Sequence, residues 1–218
     1  MKPIDLLYRR RGSAAQQRAR ERVWQVLCRH FFQRYVGETD AILDLGCGLG
    51  EFSRFIRAGR KIAVDSNPDA AARLPPEIEF RVADARQLDF IASGALDVCF
   101  TSNFFEHLPS KQELDAVLSE IHRILRPGGS LIVLQPNIRY APGAYWDFYD
   151  HHLPLSDRSC AQALDKAGFE IVEVVGRFLP FTTWSAWPKH PLLVRLYLRL
   201  RPAWRVLGRQ FLIVARKP

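Results

Sequence analysis

Three glycines at alternate positions, Gly46, Gly48 and Gly50, sit between two acids, Asp44 and Glu51, in the run Leu-Asp-Leu-Gly-Cys-Gly-Leu-Gly-Glu. Glycine lets a backbone turn tightly and pass close to a ligand, and the helix that follows would face whatever binds. Flanking acids make this loop a poor seat for a pyrophosphate and a better one for a cationic ligand without phosphate. The G-x-G-x-G spacing also differs from the G-x-G-x-x-G of dinucleotide sites, which disfavours a nicotinamide cofactor. Further acids, Asp65 and Asp84, close two later apolar runs, followed by Ser66 and by Ala85 and Arg86.

Histidine is the second chemistry-bearing type, since it titrates near working pH and can take a proton from a reacting group. His107 stands in Glu106-His107-Leu108, and His151 and His152 follow Asp150, which could orient one of them. A metal centre built from Asp147, Asp150, His151 and His152 lacks any ligand-spacing pattern, and no metal is expected. Cys28, Cys47, Cys99 and Cys160 show no C-x-x-C pair, which argues against zinc or a disulfide framework and for reduced thiols in a cytoplasmic protein. Cys47 reads as a small apolar filler, with no neighbouring base to make it a nucleophile.

The elements that hold these residues alternate. Short apolar runs at 41–45, 61–65, 79–83, 96–101 and 130–134 are separated by segments long enough for helices, as in a parallel sheet covered on both faces. A leading helix is predicted over 12–35, and the clearest later one over 110–125, capped by Ser110 and stopped by Arg126-Pro127-Gly128-Gly129. A helix at about 156–166, a strand at 169–175 and a last strand at 210–215 complete the chain.

With 218 residues, 48% hydrophobic and 25% charged, the chain can bury a continuous core, which excludes a disordered or fibrous class. No apolar leader or spanning segment is read at the sequence level. The formal charge of +8 is uneven. Residues 1–22 hold seven Lys/Arg against two acids, residues 23–176 fifteen against twenty-one, and residues 177–218 nine against none.

Taken in order, these motifs resemble those of the class I S-adenosylmethionine-dependent methyltransferases, across roughly residues 40–176 and the final strand. The small bacterial branch with the ubiquinone and menaquinone C-methyltransferases is the most similar. The resemblance implies that Asp44, Gly46, Cys47, Gly48 and Gly50 hold the methionine part of S-adenosylmethionine and that Asp65, with Ser66, receives the ribose hydroxyls. Asp84, Ala85 and Arg86 would meet the adenine, and Asn103 and Phe104, just after strand four, would face the cofactor. It also implies a three-layer α/β/α Rossmann-like fold with a seven-stranded sheet of order 3-2-1-4-5-7-6, strand seven antiparallel. The expected organisation is a helical cap at 1–38 and a methyltransferase domain at 39–218. Methyl transfer would then require alignment of the acceptor and removal of its proton, for which His107, His151, His152 and Asp150 are the candidates.

One departure from the family pattern points to substrate. Residues 177–209 replace a short hairpin with a segment holding Phe178, Phe181, Trp184, Trp187, Tyr197 and Trp204, seven Lys/Arg and no acid. Prolines 180, 188, 191 and 202 divide it. Basic and aromatic residues together suit an anionic membrane surface, peripheral contact running through 178–207 at the inner face; a plain cap over the sheet edge and a single-stranded nucleic acid are the other readings, nucleic acid the weakest. Arg9, Arg10 and Arg11 would serve a charged partner, while Tyr8 and Arg11 could instead belong to a lid over the cofactor. The expected activity is methyl transfer to a small or lipid-linked acceptor at oxygen, a glycan or lipid intermediate or a quinone-like ring. A non-catalytic cofactor-binding module docking on a membrane or a partner enzyme is the alternative.

Overall fold

The computed structural model describes residues 14–180 and 190–218. Tyr8, Arg9, Arg10 and Arg11, and Phe181, Trp184, Trp187 and Pro188 of the insert, lie outside the described residues. Seven strands form one sheet: β1 (Ala41–Leu45), β2 (Arg60–Asp65), β3 (Glu79–Val82), β4 (Leu96–Ser102), β5 (Leu125–Pro136), β6 (Glu170–Val175) and β7 (Gln210–Arg216). Their order is β3-β2-β1-β4-β5-β7-β6, the one the family resemblance implies. Strands β1 to β5 pair in parallel, and β7 runs antiparallel to β5 and β6.

Burial on both faces explains why the inner strands read as unbroken apolar runs, Ile42, Leu43 and Leu45 in β1 and Val98, Cys99 and Phe100 in β4. The helices are α1 (Ala14–His30), α2 (Glu51–Phe55), α3 (Lys111–Ile124), α4 (Pro142–Tyr145), α5 (Asp157–Lys166), α6 (Pro191–Arg199) and α7 (Arg201–Leu207). One face of the sheet carries α3 and α5, whose Leu114, Val117, Leu118, Ile121, Cys160 and Leu164 share a core with β4 and β5. Ser110 accepts from the Glu113 amide at 3.2 Å and so caps α3. The other face carries α1, α2 and the insert helices, joined by an aromatic core in which Phe52 stacks on Phe100 at 3.7 Å and Phe31 meets Phe178 at 4.3 Å.

Two boundaries differ from the sequence reading. The leading helix ends at His30 and gives way to a 3-10 turn, Phe32–Tyr35. Successive helical side chains diverge by about 100°, so a break at Phe31 lets both Phe31 and Phe32 enter the aromatic core. The segment 126–129 does not separate helix from strand, because β5 already begins at Leu125, opposite Leu96. The register shifts before Ser130 meets Val98, so the glycines form an irregularity inside the strand.

The insert folds back over the sheet face that carries α1, not over the sheet edge. Pro191 and Pro202 lie in the first turns of α6 and α7, where proline sacrifices no helical bond. Phe178, Leu198 and Trp204 are buried, and the Trp204 indole donates to the Tyr197 carbonyl at 2.8 Å. No described helix is long and apolar enough to cross a membrane.

Candidate functional site

The carboxyl ends of β1, β2 and β4 open into a cleft of about 1510 Å³, at the point where the strand order reverses. Small-ligand pockets run to about 1,000 Å³, so this cleft has room for two ligands. Its floor is the glycine loop, pinned to β2 by the Gly46 and Cys47 amides, which donate to the Val64 carbonyl at 2.9 and 3.0 Å. Gly46 has φ +69, and a Cβ there would lie 2.8 Å from the Phe104 ring. Gly50 has φ +70, and its Cβ would meet Leu74 at 2.2 Å. Glycine is required at both positions on two counts, left-handed backbone and a neighbour already in place.

Three acids give the floor its charge. Asp44 is buried and accepts from Ser53, Oγ at 2.5 Å and amide at 3.2 Å, which ties the end of β1 to α2. Burial pushes its carboxyl up to about 7, assisted by the negative charges of Glu51 and Asp65. Asp65 accepts the Gly48 amide at 2.8 Å through one oxygen and the Asn67 amide at 2.9 Å through the other. A carboxylate has about four acceptor positions, so lone pairs remain for a diol. Glu51, 3% exposed, pairs with Arg20 of α1 at 2.7 Å. The acid that the loop's sequence presented as a bare charge is therefore answered by the leading helix.

Asp84, Ala85 and Arg86 border the cleft, with Asp84 clamped by Arg86 (Nε to Oδ1 2.9 Å) and Arg86 reaching on to Glu113 at 2.5 Å. That ion pair holds the Asp84 carboxyl below its usual range. Ser66 lines the same wall. Asn103, at φ 49, is the non-glycine residue with positive φ among the described residues, and its Oδ1 accepts from Gln210 at 2.7 Å. Asparagine tolerates this conformation, and it turns Phe104 onto the glycine loop. Burial drives the Cys47 thiol far above its ordinary value, in keeping with a filler.

The far end of the cleft is polar in a different way. The loop after β5 docks on the 3-10 turn Phe105–His107, because the His152 and Leu153 amides both donate to the Glu106 carbonyl, at 2.7 and 3.1 Å. This brings Glu106, His107 and His151 together, with one side-chain ligand atom from each within 4.8 Å of the others. Glu106 is 3% and His151 7% exposed. The His151 ring stacks on Phe148 at 4.8 Å and also touches Tyr145 and His107. The Asp150 carbonyl accepts from His107 Nδ1 at 2.9 Å, and Asp150 Oδ2 lies 3.4 Å from the same nitrogen. Asp150 thus orients His107, where the sequence suggested one of its own neighbours. His152 points its ring to solvent at the cleft edge.

Some residues of the cleft were given no cofactor or catalytic role in the sequence reading. Gln16, Gln17, Arg20, Val23 and Trp24 of α1 form a wall, and Leu193, Val194 and Tyr197 of α6 form another. Glu106 was quoted only as the neighbour of His107, and that adjacency was its sole signal.

Residues 43–133 match the model of a methyltransferase domain family. A probable S-adenosylmethionine-dependent methyltransferase of Mycolicibacterium smegmatis is 28% identical over 73% of this chain and 64% of its own length. A ubiquinone/menaquinone biosynthesis C-methyltransferase of Neisseria gonorrhoeae is 30% identical over 66% of this chain and 62% of its own. The chain thus spans less than two thirds of these curated relatives. Among solved structures, a SAM dependent methyltransferase from Archaeoglobus fulgidus superposes with a TM-score of 0.69 at 22% identity, covering 99% of this chain and 100% of that one. At that identity the likeness is one of fold.

Proposed function

We propose that this chain is a class I S-adenosylmethionine-dependent methyltransferase, a reading supported by the methyltransferase-domain match over residues 43–133 and by its curated relatives, and that it methylates a hydroxyl on a lipid-linked acceptor at an anionic membrane surface. The cofactor end of the cleft fits the family's ligand. Asp44 and Asp65 suit a cation, Asp65 has lone pairs for the ribose hydroxyls, and the glycine loop admits close backbone approach. When bound, S-adenosylmethionine supplies an activated methyl on a sulfonium. The protein's part is alignment: α1 and Phe104 wall the cofactor end, and Glu106, His107 and His151 meet the acceptor atom at the other.

One observation carries the choice of acceptor. α6 contributes Leu193, Val194 and Tyr197 to the wall of this cleft, and Leu192, Leu193, Leu196 and Leu200 are exposed, as are Arg195 and Arg199. Val206, 72% exposed, and the exposed Arg201 and Arg205 extend the surface onto α7. Exposed leucines beside arginines, with no acid anywhere in 177–209, match the charge and depth profile of an anionic lipid interface. An acceptor with an apolar tail, a quinone-like ring or a glycan on a polyprenyl carrier, would then pass from the bilayer into the cleft along α6.

The test is transfer of labelled methyl from S-adenosylmethionine to reduced quinones and polyprenyl-linked sugars, presented in anionic and in zwitterionic vesicles. Product in anionic vesicles, reduced at least tenfold by Arg195→Glu with Arg199→Glu, is expected. Equal transfer to a tail-less acceptor in free solution, with no response to either charge reversal, would overturn the reading.

A further inference from the structure

We infer that Glu106, His107 and His151 form a binding site for one divalent transition-metal ion at the acceptor end of the cleft. The inference deepens the reading above and rests on it only for the metal's use, not for its binding.

The donor set is two imidazoles and one carboxylate, a combination that suits zinc, manganese and their neighbours and does not suit magnesium or calcium, which take oxygen ligands. Its dimensions fit. Three atoms within 4.8 Å of one another have a common centre no more than about 2.8 Å from each. Metal-ligand distances are about 2.0–2.2 Å, so side-chain shifts of less than about 1 Å complete the shell. The carboxylate and one imidazole are withdrawn from water: Glu106 Oε2 and His151 Nδ1 are both inaccessible to solvent.

A second, independent observation is the orientation of the ligands. The Asp150 carbonyl can only accept, so His107 Nδ1 carries the proton and donates to it at 2.9 Å, which leaves Nε2 as the lone-pair nitrogen. Metal-ligating histidines are held in this way, by a carbonyl or carboxylate on the opposite ring nitrogen. His151 is fixed by its stack on Phe148 and by the Tyr145 ring at 4.7 Å. The Tyr145 hydroxyl is itself buried with no hydrogen-bond partner among the described residues. The backbone bonds from His152 and Leu153 to the Glu106 carbonyl lock the two halves of the site together. All three ligands border the cleft, so the coordination sphere is open toward an acceptor oxygen. A metal there would polarise that oxygen and hold it in line with the methyl donor.

Full-length protein, stripped with chelator and dialysed, is titrated calorimetrically with zinc chloride and separately with magnesium chloride. One equivalent of zinc at micromolar affinity or better, and no saturable magnesium uptake, is expected. His107→Ala, at a part-exposed position that tolerates truncation, and Glu106→Gln should each weaken zinc by at least about 100-fold while retaining the wild-type circular dichroism. Cobalt loaded in place of zinc should give the visible absorption of a nitrogen and oxygen shell, a signature that needs no variant. Absence of saturable zinc binding in the wild type, or an isotherm that survives both substitutions, overturns the site. S-adenosylhomocysteine is titrated into the same metal-free protein. Its binding without zinc binding sinks the metal alone, and zinc binding without it sinks the methyl-transfer reading and leaves the metal standing.

Discussion

Arg20, on the leading helix, closes a 2.7 Å ion pair with Glu51, a buried acid at the first position of the helix that follows the glycine loop. Arg54 answers from α2 by pairing with Glu21 of α1 at 2.9 Å. These two crossed pairs hold α1 over the glycine-loop end of the cleft. Arg20→Met strands a buried carboxylate, a change that costs about 3–5 kcal/mol when both partners are dry. The Arg20 side chain is 39% exposed, so about 2 kcal/mol is expected, read as a lower urea midpoint. Glu51→Gln in the same chain should restore most of it, and a double variant no more stable than Arg20→Met would show that the pair holds nothing.

Gly46→Ala combines two penalties, a left-handed φ and a Cβ 2.8 Å from Phe104. About 1–2 kcal/mol comes from the backbone alone. Stability should fall by at least that much, and the displaced Phe104 should weaken S-adenosylhomocysteine binding at least tenfold. Phe104→Ala added to Gly46→Ala relieves the contact and leaves the backbone strain. Thermal denaturation of the single and double variants separates the two.

Asp65 supports the Gly48 and Asn67 amides while it faces the cleft. Charge-assisted hydrogen bonds contribute about 1.5–3 kcal/mol each, so Asp65→Ala should reduce cofactor affinity by one to two orders of magnitude. Calorimetry with S-adenosylhomocysteine reads it directly, and unchanged affinity would remove Asp65 from the site.

The glycine loop and the strand-end acids were legible because each is local, whereas the strand order followed only from the family resemblance. An acid two residues before a glycine stays next to it in any fold. What could not be read was made by distant partners. Arg20 reaches Glu51 across 31 residues, and nothing in an arginine on an amphipathic helix names its partner. His151 and His152 look equivalent in sequence, yet one ring is buried against Phe148 and the other faces solvent. Their separation depends on the path of a loop fixed by two bonds to the Glu106 carbonyl, which stands 46 positions before His152. Asp44 shows the same limit: its place in the loop was readable, while its bond to Ser53 depends on how α2 leaves that loop.

Asp44 makes the cleft pH-sensitive. Its carboxyl is raised by burial to about 7 from 3.8 in the open chain, with Glu51 and Asp65 adding to the rise and Ser53 opposing it. Between these values the folded protein binds more protons than the unfolded one, so stability falls as pH rises from about 4 to 7. Asp44→Asn should abolish that slope. A cationic ligand favours the ionised form, so S-adenosylmethionine, unlike neutral S-adenosylhomocysteine, should bind more tightly at pH 8 than at pH 5.5. Equal pH profiles for the two ligands would place Asp44 outside the field of the sulfonium.

The two sides of the insert predict opposite outcomes. Trp204 is buried against Phe31 and Phe178, at 5.9 and 5.0 Å, and its indole holds the Tyr197 carbonyl. Trp204→Ala should cost about 3–5 kcal/mol, as large aromatic deletions in cores do. Leu196 is 52% exposed on the outer side of the adjoining helix, and Leu196→Ser should change stability by no more than about 0.5 kcal/mol. If that outer side meets lipid, Leu196→Ser should nevertheless reduce sedimentation with anionic vesicles, and raised salt should reduce it further, because Arg195 and Arg199 share the surface. A plain cap predicts the first pair of results and no vesicle binding to lose. The stability measurements test the inner packing, and only the vesicle measurement separates a cap from a membrane-facing wall of the cleft.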